Sequence, residues 1–106
     1  MCSSDLVDGI GSPEVFPEMF ELTRELVDGA LVASVDEIAD CVRLLAERAL
    51  IVAEGAGAAA LATALAGGAG GGKVVCVVSG GNIDASKLSE IVSGHRGAPP
   101  TLRVGA

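Results

Sequence analysis

Three short apolar runs, each leading into a helix-start signal, constrain this chain most. They lie at residues 30–33, 50–53 and 74–78, and the last is β-branched throughout except for Cys76. A run of that kind reads as a strand in a sheet buried on both faces. The first run meets Ser34-Val35-Asp36-Glu37, the second Glu54-Gly55-Ala56-Gly57, and the third Ser79-Gly80-Gly81-Asn82. Short strands alternating with helices predict an α/β fold. Three or four such strands leave open sheet edges, which suggests that part of the domain lies outside this chain.

The helical segments carry their own signals. Ser12 is placed to cap a first helix, with Pro13 at its first position and Phe16, Met19, Phe20, Thr23 and Val27 recurring at spacings of three and four. Pro17 is expected to fall within the tolerant first turn. Asp28-Gly29 reads as a turn. Ser34 and Glu37 form a capping box for a second helix, which runs to about Arg48. Ile38, Val42, Leu45 and Ala49 make its apolar stripe, and Asp36, Asp40, Arg43 and Glu47 its polar one. An uncharged Ala/Leu helix to about Ala66 follows Gly57 and is expected to be buried on most sides. Glycines from Gly67 to Gly72 end it. Asp84 caps a last helix with Leu88, Ile91 and Val92 inward.

Composition excludes several classes of function. The net charge of −7 opposes nucleic acid and anionic membrane surfaces as partners. With two Phe and neither Trp nor Tyr, little is available to stack a base. The apolar stretch 49–66 is broken by Glu54 and rich in Ala and Gly, so it is a poor membrane span. Cys2, Cys41 and Cys76 fit no zinc spacing, and a reduced cytoplasmic setting is expected. His95 is the single histidine, so no metal site is argued. Gly67 to Lys73 nearly spells a phosphate-binding loop. Val74 stands where Ser or Thr belongs, however, and the run precedes a strand instead of following one.

Two turns remain as site candidates. Ser79-Gly80-Gly81-Asn82 follows an expected buried strand and opens a helix, the position where open α/β sheets bind ligands. Its glycines allow close backbone approach, and Ser79 offers a hydroxyl. Glu54-Gly55-Ala56-Gly57 has the same placement, and a Glu between apolar stretches is costly to bury unless paired or functional. Each turn can equally be a local backbone device: a satisfied turn around Ser79, a helix-start carboxylate at Glu54.

Taken together and in this order, the motifs resemble the C-terminal third of threonine/serine dehydratases, close relatives of serine racemase. Asp8-Gly9-Ile10, Leu26-Val27-Asp28, Ser34 to Ile38, Glu54 to Ala58 and Ser79 to Asp84 carry the resemblance. It implies a fold-type-II pyridoxal 5'-phosphate (PLP) architecture, of which this chain would hold part of a three-layer αβα sheet. It implies an ammonia-lyase that dehydrates and deaminates L-threonine or L-serine to a 2-oxo acid. The parent enzyme would be a homo-oligomer with an amino-acid substrate. By resemblance, Ser79 hydrogen-bonds the pyridine nitrogen of PLP, Glu54 lies beside the cofactor ring, and Gly55 and Gly80 allow close approach. A neutral hydroxyl at that nitrogen moderates the electron sink, which suits elimination from the β-carbon.

The departures shape the expectation equally. The Schiff-base lysine of these enzymes sits in a Ser-x-Lys-x-Arg-Gly context, whereas this chain has Lys73 and Lys87, neither in that context. The glycine loop that cradles the phosphate is also missing. No catalytic residue is therefore assigned to these 106 residues, and alone they are expected to be inactive. Residues 1–6, which resemble a translated sequencing adapter, are expected to be a non-native leader. Residues 7–94 are expected to form the C-terminal part of the PLP-dependent domain, and 95–106 a disordered tail. The competing reading is a stand-alone small α/β module that binds an anionic metabolite, or a partner, without catalysis.

Overall fold

The computed structural model describes residues 6, 10 and 12–94. Four α-helices order them: α1 (Pro17–Leu26), α2 (Val35–Leu44), α3 (Gly55–Leu65) and α4 (Ala85–Ser93). A π-helical turn, Leu45–Ala49, extends α2. The core lies where α2 packs on α3 and, less extensively, on α4. Ile38, Cys41, Val42 and Leu45 from α2 and its extension meet Ala58 and Ala62 of α3, Ile91 of α4, and Leu6. The residues of α3 that face α2 are small, so the two helices can pack closely.

Local chemistry explains the helix boundaries. The capping box forms as expected: the Ser34 hydroxyl accepts from the Glu37 N–H at 3.2 Å, and the Glu37 carboxylate accepts from the Ser34 N–H at 2.7 Å. α1 starts four residues later than expected. Pro17 has no N–H to donate to Pro13, and it pushes Phe16 out of the helical region, to φ −58°, ψ 131°. Ser12 caps nothing and instead donates to the Glu14 carbonyl. α3 ends in a Schellman motif, with Gly68 N–H on Thr63 O, Gly67 N–H on Ala64 O, and Gly67 in the left-handed region at φ +88°. Asp84 holds the N-cap position of α4 but makes no capping hydrogen bond with its side chain.

The expected sheet does not form. Among the described residues there is no strand, so the α/β expectation, including the partial αβα sheet, is corrected to a helical fold. A strand exists only as a member of a hydrogen-bonded ladder, and the three apolar runs have no ladder partner here. Residues 50–53 begin with Leu50 in left-handed backbone, φ 56° and ψ 34°, where the π-turn closes through Leu50 N–H on Leu45 O and Ile51 N–H donates to the same carbonyl. Val32, Val75 and Val77 stand exposed, at 94%, 90% and 69%. Apolar composition identified these segments as candidates for burial, but that alone supplies no partner.

Two further differences concern faces. No residue of α1 is buried, so its periodic Phe, Met and Leu side chains face outward. Arg43, on the stripe read as polar, is buried; its guanidinium reaches the Gly94 carbonyl at 3.4 Å and lies 3.6 Å from Asp40. The long stem of Arg lets it cross an apolar surface to the C-terminal end of α4, where the helix dipole favours a cation.

Candidate functional site

The two turns singled out from the sequence meet. Glu54 is the N-cap of α3, in extended backbone at φ −80° and ψ 169°, and its N–H donates to the Gly80 carbonyl at 3.0 Å. Around this bond the glycines interlock. A methyl group on Gly57 would run into the Gly80 carbonyl and stand 3.0 Å from Gly80 N. One on Gly81 would come within 2.5 Å of the Val52 carbonyl. A methyl on Gly80 itself would collide with Oε1 of Glu54. The Ser79 turn closes on itself through Ile83 N–H on Gly81 O at 2.9 Å.

The candidate residues differ in environment. Ser79 is exposed, and its hydroxyl makes no hydrogen bond among the described residues. Glu54 is half-buried, and its carboxylate has neither an ion pair nor a hydrogen bond among them. Gly80 is half-buried beneath that carboxylate. Gly55 is buried, and a side chain there would meet the backbone carbonyl of Leu6, itself 5% exposed. Both assigned glycines thus already have a neighbour within the chain on the face where a Cβ would sit. Gly57 and Gly81 belong to the same motifs; from the sequence, Gly81 has a general allowance for close backbone approach and Gly57 no role of its own. Their importance comes from what lies opposite, which spacing does not reveal.

Other chemistry-bearing groups lie elsewhere. Cys41 is buried in the helical core, and its thiol is pushed up to about 11 by burial first, then by Asp40, Glu37 and Cys76. It is a core residue without nucleophilic character at neutral pH. No group of three or more His, Cys, Asp or Glu among the described residues is placed to hold a metal ion. No helix there is long and apolar enough to cross a membrane. His95 and Cys2 lie outside the described residues, as does the tail from 95 to 106.

With both turns in place, comparison with known proteins identifies the family. Residues 2–80 match the family described as pyridoxal-phosphate dependent enzyme. The chain belongs to that family. It is 40% identical over 89 residues to the L-threonine ammonia-lyase of Thermotoga maritima, covering 83% of this chain and 22% of that protein. The L-threonine ammonia-lyase of Geobacter sulfurreducens is likewise 40% identical, over 82% of this chain and 22% of its own length. The catabolic L-threonine dehydratase TdcB of Escherichia coli K12 is 43% identical over 76 residues, 68% of this chain and 23% of that protein. The chain therefore spans less than a quarter of the length of these relatives. No solved structure matches it significantly.

The residues present fit one end of the family's cofactor. Pyridoxal phosphate presents a pyridine nitrogen, an aldehyde carbon and a phosphate. The exposed, uncommitted Ser79 hydroxyl, set in a glycine turn, suits the ring nitrogen. The Glu54 carboxylate shares its neighbourhood through Gly80. The aldehyde needs an amine and the phosphate a cradle of N–H groups, and neither turn supplies them.

Proposed function

We propose that this chain is the C-terminal, ring-nitrogen side of a PLP-dependent ammonia-lyase that acts on L-threonine or L-serine in the cytoplasm. One observation carries the reading: the Glu54 and Ser79 turns, 25 residues apart in sequence, are joined by the Glu54 N–H to Gly80 carbonyl hydrogen bond. The similarity to L-threonine ammonia-lyases extends through both turns' part of the chain and points to the same substrate class.

The net reaction removes water across Cα and Cβ of the amino acid. The resulting enamine tautomerises to an imine and is hydrolysed to ammonia and a 2-oxo acid, so threonine yields 2-oxobutanoate. Bound PLP supplies the electron sink for loss of the Cα proton. The role of Ser79 is to hold its hydroxyl at the pyridine nitrogen. A hydroxyl can donate or accept, so it positions the ring without fixing a proton on that nitrogen as a carboxylate would. Gly80 keeps the backbone beside the ring free of a side chain, and Gly55 keeps the opposite turn tight. Glu54 sets a negative charge at the edge of the turn, where it can orient a cationic group. Lys73 and Lys87 are outside the two turns, so the amine that binds the cofactor covalently comes from elsewhere in the working enzyme.

Two assays test this. The 106-residue chain, incubated with PLP and threonine, is expected to give no 2-oxobutanoate and no absorbance band beyond that of free PLP. Exchanging the matching segment of the Thermotoga maritima L-threonine ammonia-lyase for this one is expected to give a hybrid that forms 2-oxobutanoate. A folded hybrid that carries PLP and forms no 2-oxo acid from threonine or serine would overturn the reading.

A further inference from the structure

Gly80 has a steric partner that the cofactor reading does not use. The space its side chain would fill is taken by Oε1 of Glu54, with Cδ 3.3 Å and Cγ 3.8 Å from the position of a Cβ. The contact is with the end of a flexible side chain. At Gly57 and Gly81 the obstacles are backbone atoms, Gly80 O and N in one case and Val52 O in the other. The three glycines therefore differ in kind. Replacing Gly57 or Gly81 forces two backbones apart, whereas replacing Gly80 needs only the Glu54 carboxylate to move.

We propose that Gly80 is a positioning residue: its bare Cα is the seat of the Glu54 carboxylate, holding that charge over the Ser79 turn. Gly57 acts one level below, letting the Gly80 carbonyl approach α3 closely enough to accept the Glu54 N–H. Gly80 thus serves both parts of Glu54: its carbonyl accepts the backbone N–H, and its lack of a side chain leaves the space that the carboxylate occupies. The carboxylate has no hydrogen bond or ion pair among the described residues, and the space it occupies is the one that the bare Cα of Gly80 leaves open. The seat is a matter of shape and stands whatever the substrate; its value for ammonia-lyase chemistry rests on the function proposed above.

A double-substitution cycle in the 106-residue chain tests the seat. Gly80→Ala is expected to shift the Glu54 side-chain carboxyl carbon resonance and the Ser79 and Gly81 amide resonances, and to lower the melting temperature. Adding Glu54→Ala removes the obstructing atoms. The double variant is expected to return the Ser79 and Gly81 amides and the melting temperature to those of Glu54→Ala alone. Gly57→Ala, opposed by backbone, is expected to gain no such relief from Glu54→Ala. Gly71→Ala, which has open space around it, serves as the control. If Gly80→Ala does not fold, the double variant must. The proposal is overturned if Gly80→Ala leaves the Glu54 carboxyl resonance unmoved, or if Glu54→Ala fails to relieve it. Neither readout involves PLP or turnover, so its failure is distinct from failure of the ammonia-lyase assays.

Discussion

Leu50 shows how one residue can redirect a segment. Its left-handed backbone is costly for any residue with a Cβ, and its side chain is 87% exposed, so burial offsets little of that cost. Leu50→Gly is expected to stabilise the chain by about 0.5–1 kcal/mol, read as a raised urea midpoint, with the helical circular dichroism unchanged. From the sequence, Leu50 opens an apolar run and resembles a strand residue. Its conformation is set by the π-turn before it, a feature with no composition signature. Ser34 and Glu37, by contrast, were legible, because a capping box is a fixed spacing whose partners lie three residues apart. Gly57, Gly81 and Arg43 were not, because their roles depend on groups distant in sequence: the Gly80 backbone, Val52 and Gly94.

At the scale of elements, the helices were readable and the strands were not, for one reason. A helix closes its own hydrogen bonds, so caps and a 3.6-residue period largely specify it. A strand needs another strand, which no local pattern guarantees. α2 is the clearest case, and its start can be tested by pH. The carboxylate of Glu37 is held below its usual 4.5 by hydrogen bonds from the Ser34 backbone N–H and side chain. A group whose folded value is lowered stabilises the fold above its unfolded value, and that contribution is lost as pH falls through the folded value. Stability is therefore expected to decline below about pH 4.5, and Glu37→Gln, which keeps the cap geometry without the titration, is expected to flatten that part of the curve. An unchanged pH profile in the Gln variant, followed by chemical denaturation, would count against the box as a source of acid sensitivity. The start of α1 gives the complementary lesson: the spacing predicts Pro17 inside a first turn begun at Pro13, whereas Pro17 itself opens the helix.

For the whole molecule, the core is small and the apolar surface large. Buried side chains cluster around α2, α3 and α4, while Phe16, Phe20, Leu26, Val32, Val75 and Val77 are all exposed by half or more. Apolar surface of this kind is costly in water and promotes association. The chain is expected to enhance the fluorescence of a hydrophobic dye and to melt at a temperature that depends on its concentration. A sharp, concentration-independent melt without dye binding would contradict this. The family was legible in the sequence because it rests on ordered motifs, the Glu54 and Ser79 turns the most specific of them, that need no sheet to be recognised. The fold class inferred with it was not, because a segment spanning 22–23% of its relatives' length does not pair its own apolar runs. The site lies between these cases: both turns were identified from sequence, and their contact is a property of the folded chain.

The central claim, that the Ser79 turn is the ring-nitrogen side of an ammonia-lyase site, is tested most directly in the hybrid enzyme. Ser79→Ala is expected to lower the rate of 2-oxobutanoate formation about 10- to 100-fold, the order expected for losing one hydrogen bond to a reacting cofactor, and to shift the absorbance of bound PLP. Ser86→Ala, at an exposed position in α4, is expected to change neither. A Ser79→Ala hybrid with the rate and the PLP spectrum of the unsubstituted hybrid would contradict the account.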